Sequence, residues 1–310
     1  MTIERYSAEH KDKWNQFIEE SRNGTFLFHR DFMEYHADRF FDFSLLFYKK
    51  NRLVAVLPCH VNNGIAYTHQ GLTYGGLITK KQATTALIQE VLFHLISYLR
   101  KDNISQFVYK AVPHIYSNYP CQEDLYMLSQ LNANLYIRSI SSVIDRREPI
   151  QFSLLRKRQI LKAEKLGLEI TKSSDYASFW DLLSANLLTK HNVKPVHTLE
   201  EITRLASLFP NNIQLFTVHK KTDLLGGCVL FITDKTIHTQ YISANDNGKK
   251  SGALDLLFQQ LINTFRRDIP YFDFGISTEN KGLHLNKGLI HQKEGFGARG
   301  VVYDQYILDL

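Results

Sequence analysis

In the segment YFDFGI (271–276), Phe272 and Phe274 fall on one face of a strand and Asp273 on the other. A carboxylate placed there could serve as a base with a raised pKa, or could anchor a neighbouring backbone or arginine. Lys194 and His197 flank Pro195 in a loop, and loops held on a scaffold often bind ligands. His197 also stands directly before Thr198, where it could simply cap or precede a helix. Arg156, Lys157 and Arg158 occupy consecutive positions of a helix, where neighbours point about 100° apart and cannot all face one ligand. Arg156 with Gln159, or Arg158 with Lys162, could address a phosphate from one side; a solvated basic face explains the run equally well. Lys293, Glu294 and Arg299 bracket GFG, where Gly295 and Gly297 read as a helix stop and turn and Phe296 as its core plug. Lys293 could still point back into a cleft.

Other chemistries find no footing. The thirteen histidines form no HExxH and the three cysteines no CxxC, so no metal site is expected. Neither GxSxG nor a Walker-type GxxxxGK[ST] occurs, which disfavours an α/β-hydrolase or a P-loop enzyme. The N-terminus is charged from its fourth residue and no apolar run approaches a membrane span. With an odd number of cysteines, these features predict a reduced, cytoplasmic protein with no membrane span. The net charge of +6 is concentrated at residues 154–165, LLRKRQILKAEK, which hold five basic residues and one glutamate. Such a patch could hold tRNA backbone, where phosphate contacts dominate affinity; DNA is not expected, and the oligomeric state is not legible.

The elements that must position these groups occur twice. SLLFYKKNRLVAVLPCHV, GIAYTHQG, a helix over about residues 83–101 and QFVYKAV form one series; IQLFTVHKKTDLLGGCVLFI, TIHTQYISA, a helix over about 251–267 and YFDFGI repeat it. Both helices carry an apolar stripe of the kind that faces a sheet. Helices are also predicted over about 8–21, 31–40 and 176–191, and over a segment opening at Thr198 with Glu201 three residues on as a capping box. A chain of 310 residues fits two domains, expected at 1–150 and 151–310. The predicted class is α/β (α+β), each domain a mixed, mostly antiparallel sheet flanked by helices.

Strand, strand, helix, strand, helix, GF turn, strand resembles the GNAT acyltransferase order, and the tail QKEGFGARGVVYDQYIL resembles its last helix, turn and strand. Two copies in tandem resemble the FemABX-like branch, as do the basic stretch FSLLRKRQILKAEKLGLEI and YFDFGIS; GLTYGG, KPVHTLEEI and QKEGFG resemble a bacterial subgroup of GNAT-type proteins. The resemblance implies transfer of an acyl or aminoacyl group to an amine of a small or cell-envelope precursor. Its donor would be acyl-CoA as co-substrate or aminoacyl-tRNA, with no tightly bound cofactor. It places donor phosphates at the helix after the fourth strand, here Ser243, Ala244, Gly248, Lys249, Lys250, Ser251 and Gly252, although the usual Gln/Arg-x-x-Gly-x-Gly/Ala pattern is absent. Glu279 and Asn280 follow the strand end where substrates of the family approach, with Glu279 and Asp273 as candidate proton acceptors. Arg156, Arg158, Lys194, His197, Asn280 and Lys293 are the candidate substrate contacts. The second copy is expected to be the working one. The rival expectation is a non-catalytic scaffold of the same fold that binds a glycan, a peptide precursor or a protein; an RNA-binding module is a weaker third.

Overall fold

The computed structural model describes all 310 residues, the side chains of residues 190 and 191 excepted. The chain divides into two compact units: Met1–Ile140 with Thr278–His284 and Val302–Leu310, and Ser141–Ser277 with Leu285–Val301.

In the first unit, β1 (Thr2–Arg5), β2 (Leu45–Lys49), β3 (Arg52–Leu57) and β6 (Ile78–Thr79) make an antiparallel sheet in that order. Strands β4 (His60–Asn62), β5 (Ile65–Tyr67) and β7 (Gln106–Lys110) follow one another in a second sheet, β4 antiparallel to β5 and β5 parallel to β7. Short helices α1 (Lys11–Glu19) and α2 (Arg30–Met33) replace the longer segments predicted there. Helix α3 (Thr85–Lys101) starts where Thr84 Oγ1 accepts from the Leu87 amide, and it buries Ile88, Val91, Leu92, Leu95 and Leu99. Helix α4 (Glu123–Gln130) closes this part. Strand β8 (Asn134–Asp145) begins in the first unit and ends in the second.

The second unit holds α5 (Leu154–Lys165), β9 (Glu169–Ser173), α6 (Tyr176–His191), α7 (Leu199–Leu208), β10 (Ile213–Lys220), β11 (Asp223–Ile232) and β12 (Thr236–Ala244). After them come α8 (Asp246–Ser251), α9 (Ala253–Asn263) and β13 (Tyr271–Ile276). Its sheet runs β13-β12-β11-β10-β9, parallel between β12 and β13 and antiparallel elsewhere. The capping box at Thr198 and Glu201 is present. The helix predicted over about 251–267 is α9, ending earlier at Asn263, and a further helix, α8, precedes it; Gly252, left-handed at φ +77°, separates the two. After the short strands β14 (Thr278–Glu279) and β15 (His284–Leu285), helix α10 (Lys287–Glu294) precedes β16 (Arg299–Asp309). Residues 305–309 of β16 pair antiparallel with β7. The closing strand therefore completes the first unit's sheet, where the tandem reading placed it in the second half.

Both units contain the same parallel pair, β5 with β7 and β12 with β13, joined through a helix that buries its apolar stripe. Each pair is matched over three residues and then stops. In the first unit the space beyond is taken by the chain itself. The Gly75 amide donates to Lys110 O (3.1 Å), the Lys110 amide to Thr68 Oγ1 (2.7 Å), and the Leu77 amide to Tyr109 Oη (2.8 Å). A Cβ on Gly75 would stand 1.9 Å from Thr68 O, so only glycine fits this plug.

Three buried imidazoles, His36, His60 and His69, surround the Phe40 ring at centroid distances of 4.9, 4.8 and 5.0 Å. Gly71 makes room for them, since a Cβ there would meet His36 Nε2 at 2.1 Å. Burial pushes His60 and His69 below the ordinary histidine range, His69 furthest. The unfolded chain takes up protons on these rings near pH 6.5 while the folded chain does not, so their contribution to stability is lost as pH falls below that value. Asp124, pushed up to about 6 by desolvation, acts in the opposite sense. The imidazole effect is therefore read by difference against His69→Asn, which keeps a residue tolerant of the left-handed backbone at 69 (φ 63°). Between pH 6.5 and 5, denaturant titration of the wild type should show a stability loss steeper than the variant's by up to about 1.4 kcal/mol per pH unit.

Candidate active site

In the second unit, pairing between β12 and β13 ends at His238 and Asp273. From there β12 runs on to Ala244 beside β11, with Gln240 as the extra residue where the register slips between Val229 and Leu230. Such a bulge bends a strand and re-aims its side chains. Strand β13 turns away through Gly275 (φ +76°). The two strands part, and the gap is a cavity of about 390 Å³.

Asp273 stands at the fork. Fully buried, its carboxylate accepts from Ser141 Oγ (2.5 Å), His238 Nδ1 (2.8 Å) and the Gly275 amide (2.8 Å). The carboxylate fixes Nδ1 as a protonated nitrogen of His238. The strand alternation read in the sequence is present: Phe272 and Phe274 pack with Phe258 in the core while Asp273 faces the opposite side. His238 was missed by sequence reasoning, because nothing local couples positions 35 residues apart; the three-residue parallel register does.

The cavity walls are largely apolar, from Leu183 and Leu187 of α6, Ile242 of β12, Leu254 and Phe258 of α9, and Phe274. Its polar edge holds Asn186, Ser243, Lys249, Gln292 and Lys293. Asn186 Nδ2 donates to Ser243 Oγ (2.7 Å) and Ala244 O (3.0 Å), binding α6 to the free end of β12. Lys293 is buried on α10 and donates to the carbonyls of Gly275 (2.8 Å) and Ile276 (2.9 Å). Desolvation pulls its ammonium down to about 8, with Asp273 opposing. An ammonium has three donors, so one N–H is left after these two bonds.

The remaining predicted residues are placed as follows. The Gly248 amide donates to Asn245 Oδ1 (2.8 Å), and a Cβ on Gly248 would lie 2.1 Å from Leu225 O; on Gly252 it would lie 2.5 Å from Gln159 O. Both glycines thus answer to backbone packing. Lys249 and Lys250 are exposed, Lys249 pairing with Asp246 (2.8 Å), and Ser251 donates to Gly248 O (3.1 Å). Arg156 is paired with Asp255 (2.6 Å), both largely buried, its guanidinium over Phe296; Arg158 and Lys194 are exposed. His197 is buried against Tyr241 Oη, 2.5 Å from Nδ1, and its carbonyl accepts from Trp180 Nε1. Glu279 and Asn280 are exposed and group with the first unit. Among the described residues, no cluster of His, Cys, Asp or Glu is arranged to hold a metal ion.

Residues 154–281 match the family model described as an acetyltransferase (GNAT) domain. Over its whole length the chain is similar to the crystal structure of FemX, with a TM-score of 0.70, 10% identity, and coverage of 100% of this chain and 98% of that one. The chain has a FemABX-like tandem GNAT fold. Other structural neighbours are similarly distant in sequence. L-PGS from Bacillus licheniformis aligns with a TM-score of 0.65, 12% identity, and coverage of 98% and 93% of the two chains. A tandem GNAT protein from the clavulanic acid biosynthesis pathway aligns at 0.53, 10%, 99% and 98%. No curated protein sequence matches the chain.

Within the matched GNAT domain, the Arg156–Asp255 pair ties α5 to α9. Breaking such a buried pair from one side leaves an uncompensated charge and costs about 3–5 kcal/mol. Arg156→Ala should therefore lower the unfolding free energy extrapolated from urea titration by that order, with a matching drop in the midpoint. An arginine whose role was ligand contact alone would leave the midpoint unmoved.

Proposed function

We propose that the second unit is a GNAT-type N-acyltransferase that moves an acyl or aminoacyl group from an activated thioester or ester to an amine of a small or cell-envelope precursor. The observation that carries this reading is the buried Lys293 ammonium, with one donor unused, at the edge of the cavity between the parted strands. A cavity of this size and apolar lining suits a small organic group. In transfer, the amine nitrogen forms the new C–N bond, negative charge gathers on the carbonyl oxygen, the donor's C–S or C–O bond breaks, and the proton shed by the amine ends on the leaving sulfur or oxygen. A preorganised cation beside that oxygen lowers the barrier. Lys293 supplies it; Asp273 and His238 act by fixing the Gly275 turn whose carbonyl Lys293 holds.

For the donor, acyl-CoA or aminoacyl-tRNA, the apolar walls suit the acyl end and Lys249 and Lys250 supply charge for phosphates. The Gly248 amide is already committed to Asn245, so charged side chains rather than the glycine amide would meet those phosphates. That commitment also favours the second reading, a non-catalytic scaffold for a glycan, peptide precursor or protein. Isothermal titration with acetyl-CoA, longer acyl-CoAs and charged tRNA separates the two: absence of binding to every donor overturns the enzyme and leaves the scaffold.

With the donor that binds, Lys293→Met should lower kcat by about 10²–10³-fold with donor affinity nearly kept. Because the ammonium is the working form and its pKa lies at about 8, wild-type kcat should fall as pH rises through that value. Lys293→Arg, charged throughout, should retain activity to higher pH; coincident profiles for the two would exclude the lysine as the titrating group.

A further inference from the structure

Helix α5 is apolar on two sides. Ile160 and Ala163 face inward and are buried, whereas Leu154 and Leu161 are 71% and 55% exposed, with Leu155 and Ile150 also exposed nearby. At 3.6 residues per turn, Leu154 and Leu161 share one line, and Arg158 and Lys165 fall within about 40° of it. Lys157 and Lys162 flank that line; all four cations are exposed, and Glu164 is the helix's one acid. Beside Leu161 a groove of about 590 Å³ runs between residues 149–152, α5 and α9, with Ile150, Phe152 and Ile160 on its apolar side.

We propose that this outer face of α5 docks onto the surface of an anionic lipid bilayer. A solvated basic helix gains nothing from leucines set among its cations, whereas an interfacial helix needs both: leucines entering the acyl boundary and lysines and arginines at anionic headgroups. Nucleic acid accounts for the cations but not the leucines, since bases stack on aromatic rings and the nearby aromatic, Phe152, is turned inward onto Phe296 (centroids 5.4 Å). A contact made by one face of a single helix lies in the plane of the interface; among the described residues no helix is long and apolar enough to cross a membrane. The inference is independent of the chemistry assigned to the cavity.

Cosedimentation of the full chain with vesicles of phosphatidylcholine alone, or of phosphatidylcholine with phosphatidylglycerol, tests it. Binding should occur on the mixed vesicles, weaken with added salt, and drop about tenfold or more in both Leu154→Ser/Leu161→Ser and Lys157→Glu/Lys162→Glu. These positions are exposed, and thermal melts matching the wild type verify folding. Equal partition onto neutral vesicles, or no loss in the leucine variant, overturns the proposal. So does a face that retains bulk tRNA through the lysines, indifferent to the leucines, while ignoring vesicles.

Discussion

Where a parallel strand pair stops after three residues the space beyond must be filled or walled by side chains, and the second unit is organised around the fork this makes. Asp273 bears the load because its three hydrogen bonds tie the last paired residue to β8, to β12 and to the turn that carries β13 away. A buried carboxylate is costly unless fully partnered, and the same partners that stabilise it set the angle of the fork. Lys293 then spans the far side of that turn, holding the carbonyls of Gly275 and Ile276, so the ammonium and the carboxylate brace the same bend from opposite ends.

The glycines illustrate how close packing and ligand chemistry compete for the same residues. Gly248 and Gly252 were expected to line a phosphate cradle, and each is pressed against a carbonyl of a neighbouring segment. Their hydrogen atoms in place of side chains let α8 approach β11 and the start of α9 approach α5.

The duplication and most helices were legible because they rest on periodicity and caps: the stripe of α3, the Thr198–Glu201 box and the extent of α6 all follow from local pattern. Asp273 was legible as a residue turned away from two phenylalanines, and Lys293 as a lysine beside a structural turn. What local pattern could not carry was pairing at a distance. Nothing near His238 announces Asp273, nothing near Arg156 announces Asp255, and the return of β16 to β7 depends on a register that only the folded sheets define. Arg156 and His197 were accordingly read with ligands in mind, whereas burial gives each a protein partner.

The loop that fills the first unit's gap has a chemical meaning of its own. It meets the end of β7 with its backbone amides, Gly75 donating to the Lys110 carbonyl and Leu77 to the Tyr109 hydroxyl. The molecule thus carries an internal cast of one of its two gaps, and the cast is a peptide. In the second unit the corresponding fork is lined instead by side chains of α6, β12, α9 and α10, so the same local geometry ends in backbone in one unit and in a side-chain-walled cavity in the other.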